Sequence, residues 1–240
     1  MPEPSVIRTE HLYKQYETEA GPVPVLKDVN LEIRSGEFVA VMGPSGSGKS
    51  TFMNILGCLD LPTSGKYVLD GRDVATLDKN QLAHLRNEVI GFVFQGYNLL
   101  PRANLVDNVA LPLVYAGVGH DKRNAMAREL LDRVGLATFE RYAPNQISGG
   151  QQQRIAIARA LINSPRLILA DEPTGNLDSA TSHEIMKLFV ALNRQDGITI
   201  VLVTHEADIA AHARRLVKFV DGRVTHDGAM APAMSEEAPA

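Results

Sequence analysis

Apolar residues in this chain fall into short runs, and the spacing within each run predicts the element that it forms. Val29, Leu31 and Ile33 alternate with polar residues, the two-residue period of a half-buried strand. Together with residues 7–13 they predict a small antiparallel sheet, with a turn over residues 17–25, which are rich in Glu, Gly and Pro. The other predicted strands are residues 38–42, 67–72, 89–94, 167–170 and 198–203, and a hairpin that turns at residues 221–222.

Helices are predicted between these strands. Ile185, Leu188, Phe189 and Leu192 follow the i, i+3, i+4, i+7 spacing of one apolar helical stripe. Strands that alternate with helices imply right-handed crossovers and a largely parallel sheet. The segment from about 96 to 147 lacks a strand candidate and is expected to be an inserted helical subdomain. We expect one domain over residues 5–228 and a disordered tail over residues 229–240, which consist largely of Ala, Pro, Met, Ser and Glu.

A phosphate-binding loop is predicted at residues 43–50, which fit G-x-x-x-x-G-K-[ST] between a predicted strand and a predicted helix. The glycines allow backbone N–H groups to surround phosphates, and the helix N-terminus adds partial positive charge. Lys49 would reach the β- and γ-phosphates, and the Ser50 hydroxyl would hold Mg²⁺. A plain glycine-rich turn explains neither the Lys-Ser pair nor the two flanks. The candidate ATP contacts here are Gly43, Pro44, Ser45, Gly46, Ser47, Gly48, Lys49, Ser50 and Thr51.

These features predict an α/β fold. It has a P-loop NTPase core with a mostly parallel sheet, an N-terminal antiparallel β-subdomain and an inserted α-helical subdomain.

Composition narrows the choice of partners. The net charge of −4 is not that of a typical nucleic-acid-binding protein, so we expect no nucleic-acid partner. The net charge does not exclude a local basic patch. A single cysteine, Cys58, excludes an internal disulfide; it falls on the helix predicted after the phosphate loop, where a buried structural thiol is expected. The N-terminus resembles no secretory signal, and no apolar run has the about 20 residues of a membrane span. We therefore expect a cytosolic chain that could still dock on a membrane protein.

Asp171 and Glu172 follow the predicted strand 167–170, and the carboxyl ends of strands in open α/β sheets carry ligand sites. Asp171 would help to hold Mg²⁺, and Glu172 would polarise the water that attacks the γ-phosphate. A solvated acidic pair is the alternative, and the phosphate loop makes the catalytic interpretation the better one.

Ser148 and Gln151 have the spacing of a capping box, which any helix can use. The intervening Gly149 and Gly150 are not needed for a cap, and they would expose N–H groups to an anion at the helix start. Two anion sites far apart in one chain are unexpected if it binds one nucleotide. The second site could therefore reach the nucleotide of another subunit, and capping and anion binding can coexist.

Two further candidates end strands at the same edge. His205, after residues 198–203, could donate to a γ-phosphate oxygen, and Gln95, after residues 89–94, could touch Mg²⁺ or the attacking water. Each signal is weak alone, since a lone histidine at a strand end is commonly just a surface residue. Of two tyrosines near the first strands, we favour Tyr16 for stacking on the nucleobase and Tyr13 for packing.

The motifs occur in the order that is typical of ATP-binding cassette (ABC) ATPases, which the chain resembles over residues 5–227. Its Walker A, Q-loop, signature, Walker B, D-loop and switch-histidine elements correspond to residues 43–50, Gln95, 148–152, 171–172, 176–178 and His205. The resemblance implies hydrolysis of ATP with Mg²⁺ and a head-to-tail homodimer, in which residues 148–151 contact the ATP of the partner copy. Asp178 would lie at the dimer seam.

Residues 53–60, 62–65, 114–117 and 147–154 resemble the lipoprotein-release and macrolide-export branch. This implies a peripheral location at the cytoplasmic face of the inner membrane and a membrane subunit that has a large periplasmic domain. In some members of the branch the two are fused, so the chain is expected to be either a separate subunit or an excised domain. Two positions depart from the family pattern: Ile147 stands where Leu is usual, and Asn176 where a small residue is common. A regulatory ATPase of the cell-division type is the alternative. A tandem-cassette protein that acts on ribosomes or DNA is disfavoured, because the chain has one cassette and no heptad run.

Overall fold

Two sheets contain the strands of the computed structural model, which describes residues 4–19 and 21–230. In chain order the strands and helices are β1 Ser5–Thr18, β2 Gly21–Arg34, β3 Phe38–Met42, α1 Lys49–Leu56, β4 Ser64–Leu69, β5 Arg72–Asp73, α2 Lys79–Val89, β6 Ile90–Phe94, α3 Leu105–Tyr115, α4 His120–Arg133, α5 Gly149–Leu161, β7 Leu167–Asp171, α6 Ser179–Asp196, β8 Thr199–Val203, α7 Ala207–Ala210, β9 Arg215–Val220 and β10 Arg223–Ala229.

The first sheet is antiparallel, with strand order β2-β1-β4-β5, as predicted for the N-terminal region. The turn predicted over residues 17–25 is wrong, because Tyr16 pairs with Val23 and Thr18 with Gly21, so both strands continue to a much tighter turn. The prolines that suggested a turn, Pro22 and Pro24, lie on β2. An edge strand such as β2 tolerates proline, since its outward N–H groups have no strand to donate to.

The second sheet has strand order β10-β9-β3-β8-β7-β6 and is parallel except for the hairpin that adds β10. This confirms the mostly parallel core. The hairpin turns at Asp221 and Gly222, as predicted. The crossovers run through helices, so the carboxyl ends of β3, β6, β7 and β8 meet along one edge.

The parallel sheet is buried on both faces because side chains of its strands alternate between two apolar clusters. On β3, Val39 and Val41 pack in the cluster that contains residues of α1 and α2. Phe38 and Ala40 point the other way, into a cluster formed with α5 and α6. The strand before the phosphate loop is therefore fixed from both sides, which makes its end a rigid support for a site.

The apolar stripe predicted after Asp178 lies on α6, where Ile185, Phe189 and Leu192 are buried and Leu188 is half-buried. Cys58 is buried as expected, but it lies just beyond the end of α1 rather than on it, with φ 51°. Burial raises the pKa of the Cys58 thiol to about 11, so this group is a packed structural thiol.

Between β6 and α5 the chain forms α3, α4 and two short 3₁₀ turns, Ala137–Phe139 and Pro144–Gln146. Their apolar side chains form a third cluster that also includes Ile155 and Ala158 of α5. The extent of an inserted subdomain stays a prediction. No helix in residues 4–19 and 21–230 combines the length and apolar character of a membrane span.

The start predicted for the tail, residue 229, is wrong. Ala229 ends β10, and the N–H of Met230 donates to the carbonyl of Arg214 at 2.9 Å, so these residues belong to the fold. The rest of the predicted tail, residues 231–240, lies outside the described residues.

Gly91 tests the packing of the sheet against α5. A Cβ at this position would lie 2.4 Å from the backbone oxygen of Ala160, so Gly91→Ala must displace the helix or the strand. We expect it to lower the free energy of unfolding by about 1–3 kcal/mol, the usual cost of overpacking. Gly228→Ala is the control on a strand, because its added methyl meets only the His226 side chain at 3.4 Å. Chemical denaturation midpoints compare the two; equal midpoints would contradict the prediction.

Candidate functional site

The carboxyl ends of four parallel strands meet at one edge of the sheet. The register pairs Phe94 with Asp171, Asp171 with Val203, and Val41 with Val203, so the residues that follow these strands emerge side by side. A cavity of about 670 Å³ opens there. Its lining contains most of the predicted site: Gly43, Pro44, Ser45, Gly46, Gly48, Lys49, Ser50, Thr51, Gln95, Asp171, Glu172 and His205.

The phosphate loop joins β3 to α1 and depends on close backbone approach. Gly48 precedes α1 with φ 100°, and a Cβ there would lie 2.9 Å from Leu26 Cδ2. At Gly43 a Cβ would lie 2.2 Å from the Phe219 oxygen. These two glycines are therefore required by the neighbouring strands as well as by any phosphate. Ser47 is buried within the loop rather than lining the cavity.

The Lys49 ammonium lies across the mouth of the loop, where it donates to the carbonyls of Gly43 at 2.7 Å and Pro44 at 2.8 Å. A flexible ammonium on two neutral acceptors exchanges readily for a phosphate, which carries full negative charge. Lys49 is therefore available for the predicted phosphate contact.

Two side chains that line the cavity, those of Glu172 and His205, are in hydrogen-bonding contact: His205 Nδ1 lies 2.9 Å from Glu172 Oε1. Glu172 has φ 45°, a left-handed backbone conformation that costs a non-glycine residue energy. Its N–H donates to the Val203 carbonyl at 2.9 Å, which holds this conformation against β8. The geometry gives a carboxylate whose direction is fixed by its backbone and by a histidine.

The pKa of Asp171 is raised, first by burial and then by the neighbouring Glu172 charge, while Lys49 acts in the opposite direction. A buried carboxylate near a second carboxylate favours a bound cation. Ser50, Gln95 and Asp171 all line the cavity and offer oxygen atoms, the ligands that Mg²⁺ prefers. The described residues contain no cluster of three or more His, Cys, Asp or Glu that could hold a metal by itself. The donor set therefore fits Mg²⁺ with phosphates and water completing its shell.

Gln95 is hydrogen-bonded to Asn176, which the sequence analysis placed in the D-loop without giving its side chain a role. Its Nε2 donates to Asn176 Oδ1 at 3.3 Å, and Asn176 Nδ2 donates to the Gln95 carbonyl at 3.0 Å. Asn176 is not part of the cavity lining. No pattern in the sequence indicates this pair, because the two residues lie on different loops.

A second unassigned residue, Arg159 of α5, supports the segment after Gln95. Its guanidinium donates to the carbonyls of Tyr97 and Asn98, two residues with positive φ. Burial lowers the Arg159 pKa. Asparagine adopts the left-handed conformation of residue 98 more readily than most other residues, so Asn98 is a signal that could have indicated a turn here.

The predicted signature starts α5, away from the cavity lining. Gln151 N–H donates to Ser148 Oγ at 3.3 Å, and Ser148 N–H donates to Gln151 Oε1 at 2.9 Å, so the capping box is present. A Cβ on Gly149 would lie 2.8 Å from the Tyr97 hydroxyl, and one on Gly150 2.5 Å from Thr181 Cγ2. The two glycines thus have a packing role that sequence analysis missed.

Asp178 caps α6 by accepting from Thr181 N–H at 3.0 Å and Thr181 Oγ1 at 2.7 Å. These bonds lower the Asp178 pKa. In this single chain Asp178 therefore has a structural role, and its predicted place at a dimer seam stays a prediction.

Tyr16 lies beside the phosphate-loop helix rather than in the cavity lining. Its hydroxyl donates to Asp60 Oδ2 at 2.7 Å, and the Lys14 ammonium lies 4.7 Å from the ring centroid. Burial, followed by the bond to Asp60, raises the Tyr16 pKa, and a bond with Thr51 opposes this. The ring is thus held next to the phosphate loop and is 39% exposed, whereas Tyr13 is half-buried.

A family model described as "ABC transporter" matches residues 26–175, more than half of the chain. The macrolide export ATP-binding/permease protein MacB of Syntrophobacter fumaroxidans is 53% identical over 98% of this chain. The match is 34% of that protein, so the chain spans about a third of this relative. YknY of Bacillus subtilis, an uncharacterized ABC transporter ATP-binding protein, is 52% identical over 91% of this chain and 95% of its own length.

Solved structures agree. The dimeric ATP-binding cassette MJ0796, in a post-hydrolysis state bound to ADP and Pi, gives a TM-score of 0.86 at 44% identity. The match covers 94% of this chain and 99% of that one. CbiO1 from Clostridium perfringens, part of the ABC transporter complex cbiONQ, gives 0.83 at 30% identity and covers 95% of this chain and 89% of its own.

Gly150 allows the packing role of the signature glycines to be separated from anion binding. Gly150→Ala should destabilise the single chain by about 1–3 kcal/mol, because its methyl overlaps Thr181 Cγ2. In a Thr181→Ser background that methyl group is gone and the hydroxyl can still donate to Asp178. There the same change should be neutral or stabilising, since alanine favours a helix by up to about 1 kcal/mol over glycine. Urea unfolding without nucleotide measures both; a loss of equal size in the two backgrounds would refute the packing role.

Proposed function

The chain belongs to the ABC transporter family and is an ATPase of that type, and from this premise we propose that it powers a membrane transporter by hydrolysing ATP in the cavity at the edge of the parallel sheet. The observation that carries the proposal is the 2.9 Å contact between His205 and Glu172 in the cavity that the phosphate loop also lines. One cavity thus combines groups that bind phosphate with a held carboxylate that can polarise water.

In the proposed mechanism the loop N–H groups and Lys49 bind the β- and γ-phosphates, and Tyr16 stacks on the base. Glu172 accepts a hydrogen bond from the attacking water and draws its proton as the bond to phosphorus forms. His205 keeps the carboxylate directed at the water and can donate to a γ-phosphate oxygen. Both groups come from neighbouring strand ends, so their relative position is set by the sheet register.

Ser50, Gln95 and Asp171 would hold Mg²⁺, which when bound neutralises the charge that develops on the phosphates. The raised Asp171 pKa is consistent with this role, because the carboxylate has little stabilisation in the chain itself and gains it from a cation.

A second copy would complete the site. Residues 148–151 lie outside the cavity lining, and the N-terminus of their helix would be free to receive an anion from elsewhere. In a head-to-tail homodimer this N-terminus would meet the γ-phosphate bound to the other copy, with Asp178 at the seam. The dimeric structures of the cassette MJ0796 support the formation of a dimer.

A groove next to α2 and α3, with a volume of about 710 Å³, is the proposed contact for a membrane subunit. Phe92 and Phe94 stack in it with ring centroids 5.6 Å apart, and Tyr115, which is 72% exposed, stands at its side. Arg86 and Arg159 also line it; both donate to backbone carbonyls, and their charges are not balanced by an ion pair with a carboxylate of the described residues. Apolar rings beside such cations suit an amphipathic helix that carries acidic side chains.

The relatives named for macrolide export support an export function. In the proposed arrangement this chain would be a peripheral subunit at the cytoplasmic face of the inner membrane, in an export or release complex. The partner would be a membrane subunit with a periplasmic domain, and the cargo would be of the lipoprotein, macrolide or peptide type.

Glu172→Gln removes the proposed base with little change in shape. Turnover of ATP should fall by about 10²–10⁴, the usual contribution of a general base, whereas ATP binding persists. Because hydrolysis no longer separates the copies, an ATP-bound dimer should accumulate in gel filtration. The exposed Glu129→Gln serves as the control and should keep parental turnover. Normal turnover in Glu172→Gln would exclude Glu172 as the base.

Tyr115→Ser tests the groove. In the Glu172→Gln background, with ATP and Mg²⁺, the chain should capture a membrane subunit with a periplasmic domain from detergent-solubilised membranes of the source organism. The additional Tyr115→Ser change should weaken this capture about tenfold, as expected for an exposed aromatic anchor. Tyr142→Ser, at a tyrosine that packs edge-on against Phe139 elsewhere on the surface, should leave it unchanged. Capture of a division-site protein instead would favour a regulatory function, and equal capture by both variants would exclude the groove.

A further inference from the structure

Gln95 and Asn176 lie 81 positions apart in the sequence and are joined by a two-way hydrogen-bonded link. We infer that Asn176 is a positioning residue, which fixes the side-chain amide of Gln95 so that its oxygen, and not its nitrogen, is available to the metal. The inference rests on the proposed function, in which Gln95 contacts Mg²⁺.

The orientation of Asn176 follows from a group that cannot be turned around. The backbone carbonyl of Gln95 can only accept, so the end of the Asn176 amide that lies 3.0 Å from it must be Nδ2. The other end of the same amide, Oδ1, is therefore directed at the Gln95 side chain. An amide oxygen can only accept a hydrogen bond, so Gln95 must present Nε2 to it, as the 3.3 Å contact shows.

The bond to Asn176 decides which end of the Gln95 side-chain amide, Oε1 or Nε2, is left for a ligand. With Nε2 used by Asn176, Oε1 is the end without a hydrogen-bond partner among the described residues, and Gln95 lines the cavity. Mg²⁺ takes oxygen ligands and has no use for an amide N–H donor. Without Asn176 the two orientations of the Gln95 amide differ little in energy, and part of the population would turn its NH₂ group toward the cation.

The segment that carries Asn176 is held independently of any ligand. Gly175 N–H donates to the Glu172 carbonyl at 3.1 Å, and Leu177 N–H donates to the Thr174 carbonyl at 2.9 Å. Gly175 also brings bare backbone against the Gln95 amide, since a Cβ there would lie 2.7 Å from Nε2. The amide thus rests on one surface and is bonded at one end, and both restraints come from the segment that begins at Glu172.

Asn176 stands where a small residue is common in the family, and its contacts suggest a reason for this difference. A small residue at 176 would lack both bonds to Gln95. The carboxamide adds a restraint between the residue that follows β6 and the residues that precede α6, so it links the proposed metal ligand to the Asp178 cap.

Mn²⁺ binding tests this without a turnover measurement. In the Glu172→Gln background with ATP, Mn²⁺ replaces Mg²⁺ and its free fraction is measured by EPR. Asn176→Ala should weaken Mn²⁺ binding about tenfold, the lower end of the effect of removing a group that orients a metal ligand. Asn124→Ala on α4 is the matched control and should change nothing. Unfolding midpoints verify that both variants fold.

A Gln95→Glu background separates orientation from general support. A carboxylate has two equivalent oxygens, so its orientation no longer matters, and adding Asn176→Ala there should cost no Mn²⁺ affinity. A tenfold loss in this background as well would show that Asn176 supports the loop and does not orient the amide, which would overturn the inference.

Gln95→Ala distinguishes failure of the inference from failure of the proposed metal site. If Gln95→Ala weakens Mn²⁺ binding and Asn176→Ala does not, Gln95 remains a ligand and the positioning role is wrong. If neither change has an effect, Gln95 is not a metal ligand, and both statements fall together.

Discussion

The hydrogen-bond register of the parallel sheet is the constraint on which the chemistry of this chain depends. Because Phe94, Asp171 and Val203 are paired across three strands, Gln95, Glu172 and the residues before His205 emerge at one level. Shifting one strand by two residues would leave its buried side chains on the same face and yet move a proposed catalytic group by about 7 Å. The two apolar clusters that cover the sheet therefore do more than stabilise it, since they fix the register and with it the site.

Much of the fold and of the candidate site could be predicted from the sequence, because the patterns that indicate them lie within short segments. The G-x-x-x-x-G-K-[ST] pattern, the apolar strand before Asp171 and the stripe on α6 each report directly on a short segment. The mostly parallel core followed from the alternation of strands and helices, the family followed from the order of the motifs, and both were confirmed. The turn at residues 17–25 was wrong because proline in an edge strand looks the same in sequence as proline in a turn. The extent of the tail was misjudged for a related reason, as a small residue such as Ala229 gives no sign that it completes a strand pair.

The contacts between segments that are far apart in the sequence could not be predicted. The bonds from Asn176 to Gln95 and from Arg159 to Tyr97 join segments far apart in sequence, and neither residue type has a local pattern that names its partner. The signature glycines show a different limit. Gly149 and Gly150 suggested an anion site, and the structure adds that Tyr97 and Thr181 leave no room for a Cβ. A glycine can be required by close packing, by anion binding or by both, and the sequence does not distinguish these requirements.

Helix α5 connects two distant parts of the surface. It begins at Gly149 and Gly150, and Arg159 and Ala160 near its other end line the groove beside α3. Its 13 residues form a rod of about 20 Å, tied near its middle by the bond from Gln153 to the Pro173 carbonyl. Its buried side chains pack in two apolar clusters along this length, so a displacement at one end of α5 would move the other end as well.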